Sequence, residues 1–498
     1  MKKIAIISTI LLGLATASCD SYLDINQDPN SPSEGSITTS NILPGAEMNL
    51  AASYGDYFRI VGGYYSEHFA QGFGTSNYLD YSRFSQSATR SSSAYTQLYQ
   101  RAIKNFTTIQ TKATDEEDWG TNLAATVLKA FAYQALVDAY GETPYSEAMN
   151  ASNASPKYDD GQDVYAGILA EIDDALSKAS ASDAVATNFL YPGQSADPWI
   201  KFANALKLRI LTRESLAVDV QSQIGALIQQ GNFPTEDVAY KGCWTSEAGS
   251  ESPYYAEEYA TNWGSTQQNV IANIAVVGTM QTDDYTDPRL AAWVNTNSSG
   301  NIVGGISGSN FSTSDAYKAA YWCRPKASYD MPVYLISVAD IDFYIAEYYA
   351  KANNAAQAEN YYNAAVRASF AQAGVDGADE NLAKHPYDQA NWRRSIGVAH
   401  WISTFGTDDF EAYCEVRRLG YPSFGSVTGD QLYDGQTDAS YSPSSYQPGY
   451  LYTPIQVFGQ VGSGKLLQRW PYSESSSTRN SNTPDFKGYT SPIFWAGK

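Results

Sequence analysis

Apolar residues return every three or four positions through much of this chain, and where that rhythm stops, aromatic residues take over among turn formers. Between Trp119 and Tyr140, the residues Ala124, Val127, Leu128, Phe131, Ala132, Ala135, Leu136 and Ala139 share one face of a predicted helix. Gly141 and Pro144 supply its stop. The same spacing predicts helices over 160–178 and 199–213, the second through Trp199, Phe202, Ala203, Leu206 and Ile210.

The sharpest signal is a helix hairpin over 338–370. Ile341, Tyr344, Ile345, Tyr348 and Tyr349 precede Asn353-Asn354, and Ala358, Tyr361, Tyr362, Ala365 and Val366 follow. Small alanines facing bulky tyrosines allow close helix approach, the packing found in tetratricopeptide-type helix pairs. No strict repeat recurs, so several such pairs interrupted by insertions are expected. Two long stretches, 231–334 and 421–498, lose the helical rhythm and are rich in Gly, Ser, Pro, Asn and aromatics. Loops of that length inside a helical body usually carry function. The expected fold is mainly α, one globular domain over 41–498 in which tetratricopeptide-like helix pairs form a scaffold for these irregular, aromatic-rich insertions.

A different apolar run opens the chain. Lys2 and Lys3 precede an uncharged, largely apolar stretch from Ile4 to Ala17, followed by Ser18-Cys19. That stretch falls short of the ~20 residues a membrane-spanning helix needs, and small residues before a cysteine suit a lipoprotein signal peptidase. Residues 1–18 read as a signal peptide, Cys19 as the lipidated first residue of the mature chain, and 19–40 as a polar tether. Asp24-Ile25-Asn26-Gln27-Asp28-Pro29-Asn30 imitates a calcium loop, but Pro29 stands where such a loop needs glycine and Gly35 where it needs a bidentate Glu.

Loss of the leader removes two lysines and no acid, deepening the net charge from −21 to −23. That sign excludes a phosphate-binding nucleic-acid surface and a polybasic membrane patch, and leaves neutral ligands favoured. The aromatic share is mostly tyrosine, 39 against 18 Phe and 10 Trp, a residue suited to half-buried positions, interfaces and sugar platforms. Beyond Cys19, only Cys243, Cys323 and Cys414 remain; they allow at most one disulfide, lack any CxxC spacing, and read as small buried hydrophobes.

Catalytic signals are missing. The three histidines, His68, His385 and His400, form no zinc-binding pattern, and no GxSxG elbow exists. Residues 459–465 imitate a phosphate loop, yet Leu466 replaces the hydroxyl residue that would hold magnesium, so a surface loop is expected. The acid pairs Asp283-Asp284 and Asp408-Asp409 resemble a glycosidase dyad only by adjacency, whereas such carboxylates face each other across a cleft. No enzyme, cofactor or metal site is expected.

Several segments together resemble the SusD/RagB family, and its SusD-like members in particular. They are the lipoprotein cysteine followed by Asp28-Pro29-Asn30; Tyr140-Gly141-Glu142-Thr143-Pro144-Tyr145-Ser146-Glu147-Ala148; and Trp199-Ile200-Lys201-Phe202-Ala203-Asn204-Ala205-Leu206-Lys207-Leu208-Arg209. Further along come Asp287-Pro288-Arg289-Leu290, Ala346-Glu347, Trp401, Arg417-Arg418-Leu419-Gly420-Tyr421-Pro422 and Arg469-Trp470-Pro471-Tyr472.

The resemblance implies a surface lipoprotein of the outer membrane, anchored by acyl chains such as palmitate. It would bind a glycan or oligosaccharide and deliver it to a SusC-like TonB-dependent transporter. Alternatives are a peptide-binding lid on that transporter, a cell-surface glycoside hydrolase, and a helical assembly factor without a small ligand. The matched motifs carry fold rather than ligand contacts, so ligand residues are chosen by position: Phe73, Tyr78 and Tyr81 after the first helix, with Trp263, Tyr317, Tyr321 and Trp322 in the central insertion.

Overall fold

A computed structural model describes residues 37–72, 76–260, 269–308, 323–433 and 446–497. The chain enters through α1 (Thr39–Ala52) and a π-helical turn, then α2 (Arg59–Tyr65). Further on, α3 (Lys104–Asp115) and α4 (Trp119–Tyr140) form an antiparallel pair, and α5 (Gly161–Lys178) packs on α4 and on α6 (Asp197–Glu214). The expected hairpin is present as α7 (Val338–Lys351) and α8 (Ala355–Ala373), turning at Asn353 with φ +55 and capped by Asn354, whose Oδ1 accepts from the Gln357 amide at 3.3 Å. A last pair, α9 (Trp392–Thr404) and α10 (Asp409–Leu419), closes the body, with α10 crossing α2. The mainly α expectation holds.

Three small ribbons accompany the helices, most of their strands drawn from the stretches without helical rhythm. β1 (Phe69–Gln71), β2 (Val238–Tyr240), β3 (Val270–Ala272), β4 (Val333–Ile336), β5 (Phe424–Thr428) and β6 (Leu451–Thr453) pair as β1–β3 and β2–β4, both antiparallel, and β5–β6, parallel. Residues 459–465 form a surface loop with Gly462 and Gly464 at positive φ. Cys323 and Cys414 are buried, Cys243 is half-buried, and all three are free thiols.

Periodicity located α4 correctly but suggested a single buried face. Every residue from Gly120 to Tyr140 is in fact buried. Its polar positions explain why: Gln134 accepts from the Arg209 Nε at 3.0 Å, Lys129 pairs with Glu171 at 2.5 Å, and Asp138 receives Arg213, the Tyr165 hydroxyl and the Trp495 indole. Charges leave water here because each finds a partner on another helix.

Those partners join into one ionic network between α4, α6, α7, α9 and α10. Arg213 bonds both Glu411 and Glu415, and Arg418 holds Glu347 at 2.5 Å and Glu415 at 2.6 Å. His400 faces Asp340 at 2.8 Å, and Tyr344 donates to Glu411 at 2.7 Å. Arg417 reaches the Asp138 carbonyl at 2.7 Å. Three of the short segments that carry the family resemblance supply ions of this network, through Arg209, Glu347 and Arg417-Arg418.

Gly141 ends α4 at φ +86, and a Cβ there would stand 3.0 Å from Ile493 and 3.2 Å from the Arg469 guanidinium. That room lets Arg469 pair with Glu142 at 2.8 Å, where Tyr472 donates at 2.6 Å and Lys487 also bonds. Burial pushes the Glu142 carboxyl up, but Lys487, Tyr472 and Arg469 together outweigh it and hold the group at about 2. An acid held below its ordinary range stabilises the fold fully above pH ~4.5 and loses that contribution as pH falls through ~2. Glu142→Gln is expected to cost about 1 kcal/mol at pH 7, after allowance for solvent screening, and less as pH falls from 4.5 to 3. Urea titrations across that range check it.

Candidate ligand site around the β1–β3 ribbon

At the end of α2, Glu67 takes φ +56 and turns the chain into β1. Two contacts lock this corner to the scaffold. The Trp401 indole donates to the Ser66 carbonyl at 2.8 Å, and His68 sits between Asp409 at 2.7 Å and the Trp401 carbonyl at 2.9 Å. The corner is therefore held by α9 and α10, and the ribbon inherits their rigidity.

β1 then pairs with β3 in the register Phe69↔Ala272 and Gln71↔Val270, and the Gly72 amide donates to Asn269 at 2.7 Å. A further strand-like layer lies alongside: the Ala272 amide donates to Cys323, and the Gly305 amide to Ala272, each at 2.8 Å. Asn273 ties this layer together, donating to Phe69 at 3.1 Å and to Ser307 at 2.8 Å, while the Tyr452 hydroxyl donates to it at 3.0 Å. Gly308 donates to the Ser82 hydroxyl at 2.7 Å and accepts from Arg83 at 3.1 Å. The described ends at Gly72, Asn269, Gly308 and Cys323, far apart in sequence, are all anchored on this ribbon and its immediate flanks.

Of the positions chosen from sequence, Phe73, Trp263, Tyr317, Tyr321, Trp322 and the lipid residue Cys19 lie outside the described residues. Tyr78 and Tyr81 are described, and both are buried, at 7% and 2% exposure. Their rings stack on each other at 5.8 Å, Tyr78 leans on Tyr64, and Arg90 lies over Tyr81 at 5.3 Å. These two rings wall the site from behind, with protein on their faces. Burial pushes the neighbouring Glu258 carboxyl up to about 7, opposed by the Tyr78 hydroxyl and Arg324.

An aromatic pair less deeply buried than Tyr78 and Tyr81 stands nearby. Tyr255 and Tyr259, both half-buried, stack nearly parallel at 5.7 Å and 11°. Arg324 lies 3.7 Å over the Tyr259 ring and donates to the Glu258 carbonyl. The Tyr329 ring, 41% exposed, follows a backbone bond from the Ser252 amide to the Tyr329 carbonyl at 2.7 Å. A flat aromatic face flanked by a cation and the exposed Glu257 suits a ligand with C–H patches and hydroxyls. In the sequence these tyrosines are two among the aromatics of the 231–334 insertion and were not chosen; the signal was their spacing of four, which on a helical turn brings two rings onto one side. Among the described residues, no group of acids, histidines and cysteines has the geometry of a metal site. Asp408 and Asp409 serve the core, Asp408 receiving the Tyr54 hydroxyl at 2.9 Å and Asp409 pairing with Arg59 at 3.1 Å.

Residues 29–443 match the family model described as "Starch-binding associating with outer membrane". The chain belongs to this SusD-like family. A SusD homolog from Bacteroides uniformis shares its fold with a TM-score of 0.74 at 21% identity, over 91% of this chain and 99% of that one. A SusD/RagB family protein from Bacteroides thetaiotaomicron gives 0.70 at 19%, over 93% and 99%. A chitin-binding SusD homolog from Flavobacterium johnsoniae gives 0.69 at 18%, over 90% and 98%. No curated protein matches the sequence.

Proposed function

We propose that this chain is a non-catalytic glycan-binding lipoprotein of the outer-membrane surface, anchored through Cys19, that hands an oligosaccharide to a SusC-like TonB-dependent transporter. The observation carrying the reading is the gathering, on one rigid ribbon, of the anchored ends flanking Phe73, Trp263, Tyr317, Tyr321 and Trp322, beside the Tyr255–Tyr259 stack. Family membership supports the ligand class, since the family is described as starch-binding and one relative as chitin-binding. A scaffold fixed by buried ions keeps such a platform preorganised, so little ordering entropy is lost on binding.

The test is affinity electrophoresis and calorimetry of the full chain against soluble starch, chitooligosaccharides and other neutral glycans. Binding without release of shorter products is expected, and Trp263→Ala, Trp322→Ala or the Tyr255→Ala/Tyr259→Ala pair should weaken it about tenfold. Glycan shortening abolished by loss of one carboxylate, or affinity indifferent to every aromatic substitution, would overturn the reading. Cys19→Ser should abolish incorporation of a clickable palmitate and release the chain from the membrane fraction.

A further inference from the structure

A cleft of ≈ 440 Å³ opens between α8, α9, the short helix Ala378–Lys384 and residues 448–449. Its volume falls in the ~300–1,000 Å³ range of small-ligand sites. Val366, Val398 and Ile402 give it an apolar wall. None of the residues chosen for the ribbon site lines it.

The polar groups of the cleft differ in how far they are already used. Arg289 has its charge paired: its guanidinium grips Asp287 at 2.6 and 3.1 Å and Ser369 at 2.9 Å. Asn381 spends its amide on Asp287 at 3.0 Å and the Tyr285 hydroxyl at 3.2 Å. Asp388 accepts from the Ala390 amide at 2.9 Å and from Asn391 at 2.7 Å. Burial pushes the His385 imidazole below its ordinary range, so it offers a neutral donor and acceptor. Arg394 stands apart. Among the described residues no carboxylate pairs with it, and its guanidinium rests 4.5 Å from the centre of the Tyr450 ring. Gly449, at φ +77, leaves the space beside it, because a Cβ there would come within 3.0 Å of Nη2. Stacking on an aromatic face fixes the plane of an arginine and leaves its edge free for a bidentate acceptor.

We propose that this cleft is a second ligand site, in which Arg394 receives the carboxylate of an acidic sugar such as a hexuronic acid. A carboxylate fills both free donors of the fork, and the sugar hydroxyls meet His385 and the rim, while the ring's C–H face lies on the apolar wall. The proposal takes from the preceding reading only the class of ligand, a saccharide, and stands on a different part of the molecule. It would let one protein select glycans in which neutral and acidic residues occur together, despite a surface whose overall charge repels long polyanions.

The test is saturation-transfer NMR and calorimetry of the full chain with D-galacturonate and D-glucuronate against D-galactose and D-glucose. The uronates are expected to bind at least about tenfold more tightly than their uncharged parents, as one charge-assisted bidentate pair would give. Arg394→Ala should erase that preference, and Arg394→Lys, which keeps the charge but not the fork, should retain part of it; unchanged thermal melting of either variant checks the fold. Equal binding of uronate and parent, absence of uronate binding, or a preference that survives Arg394→Ala overturns the proposal. So does binding of an acetylated dipeptide acid where the uronates fail, which would make the cleft a peptide-carboxylate site. Trp263→Ala and Trp322→Ala should weaken neutral-glycan binding and leave uronate binding intact, so a native chain that binds uronates but no neutral glycan would count against the ribbon site and not against the cleft.

Discussion

Arg213→Leu is expected to cost the fold about 3–5 kcal/mol, because it takes one shared cation from three buried carboxylates at once, leaving them only the weaker compensation of their remaining partners. Arg213 is fully buried; it bonds Glu411 and Glu415, and its Nε lies 3.4 Å from Asp138. The neighbouring arginines cannot replace it. Arg209 approaches Glu411 only to 4.0 Å, and Arg418 is committed to Glu347 and Glu415. The sign of the pH dependence is also fixed. Burial pushes the Glu411 carboxyl up, but Arg213 and Arg209 outweigh it and hold the group at about 2. In the native chain that contribution is complete above pH ~4.5 and lost as pH falls through ~2. Without Arg213 the same carboxyl is driven towards protonation, so the gap between variant and native chain should narrow as pH falls below 4.5. Denaturant titrations at pH 7 and pH 4 give both numbers. A variant within ~1 kcal/mol of the native chain at pH 7 would mean that the network is dispensable, as surface ion pairs often are.

That network also explains which parts of the architecture were legible in the sequence. α4 and the α7–α8 hairpin announced themselves because apolar spacing is a local property, and Asn353-Asn354 marks its turn within a few residues. The second buried face of α4 was not legible. Lys129, Gln134 and Asp138 look like a solvent-facing stripe until Glu171, Arg209 and Arg213, supplied by α5 and α6, cover them. The resemblance motifs were visible singly, yet nothing local says that Glu347 and Arg418 form one pair.

The candidate site was legible in kind more than in place. An aromatic insertion is a compositional signal, whereas the ribbon that organises it consists of two three-residue strands, too short for any alternation to show. Tyr78 and Tyr81 were chosen for their glycine-flanked loop, but Tyr64, Tyr57 and Tyr65 close over their rings. Tyr255 and Tyr259 are only half-buried, and Arg324 rather than a further tyrosine lies over the Tyr259 ring. Spacing alone cannot separate those outcomes, since tyrosine serves half-exposed and buried positions alike.

Gly62→Ala should destabilise the protein by about 3 kcal/mol, at the upper end of what overpacking costs, although it adds one methyl group. Gly62 lies on α2 where that helix crosses α10, and a Cβ there would stand 2.4 Å from the Phe410 Cα and 2.8 Å from the Asp409 carbonyl oxygen. Both obstacles are backbone, so no rotamer change relieves them and the helices must separate. α10 cannot yield cheaply, since Asp409 is held by Arg59 at 3.1 Å and by the Gly406 amide at 3.0 Å, and Asp408 caps the Glu411 amide at 3.1 Å. Strain is instead passed along α2 to Ser66 and His68, and so to β1. The variant should therefore lose glycan affinity as well as stability, with no ligand contact altered. Gly45→Ala on α1 is the matched control: nothing lies within 4 Å of its Cβ position, and alanine in an exposed helical site should stabilise by about 0.5–1 kcal/mol. Thermal melting and glycan affinity measured on both variants separate the two effects. A Gly62→Ala chain that melts with the native one would show that α2 and α10 have room to part, and that the ribbon is not held by their contact.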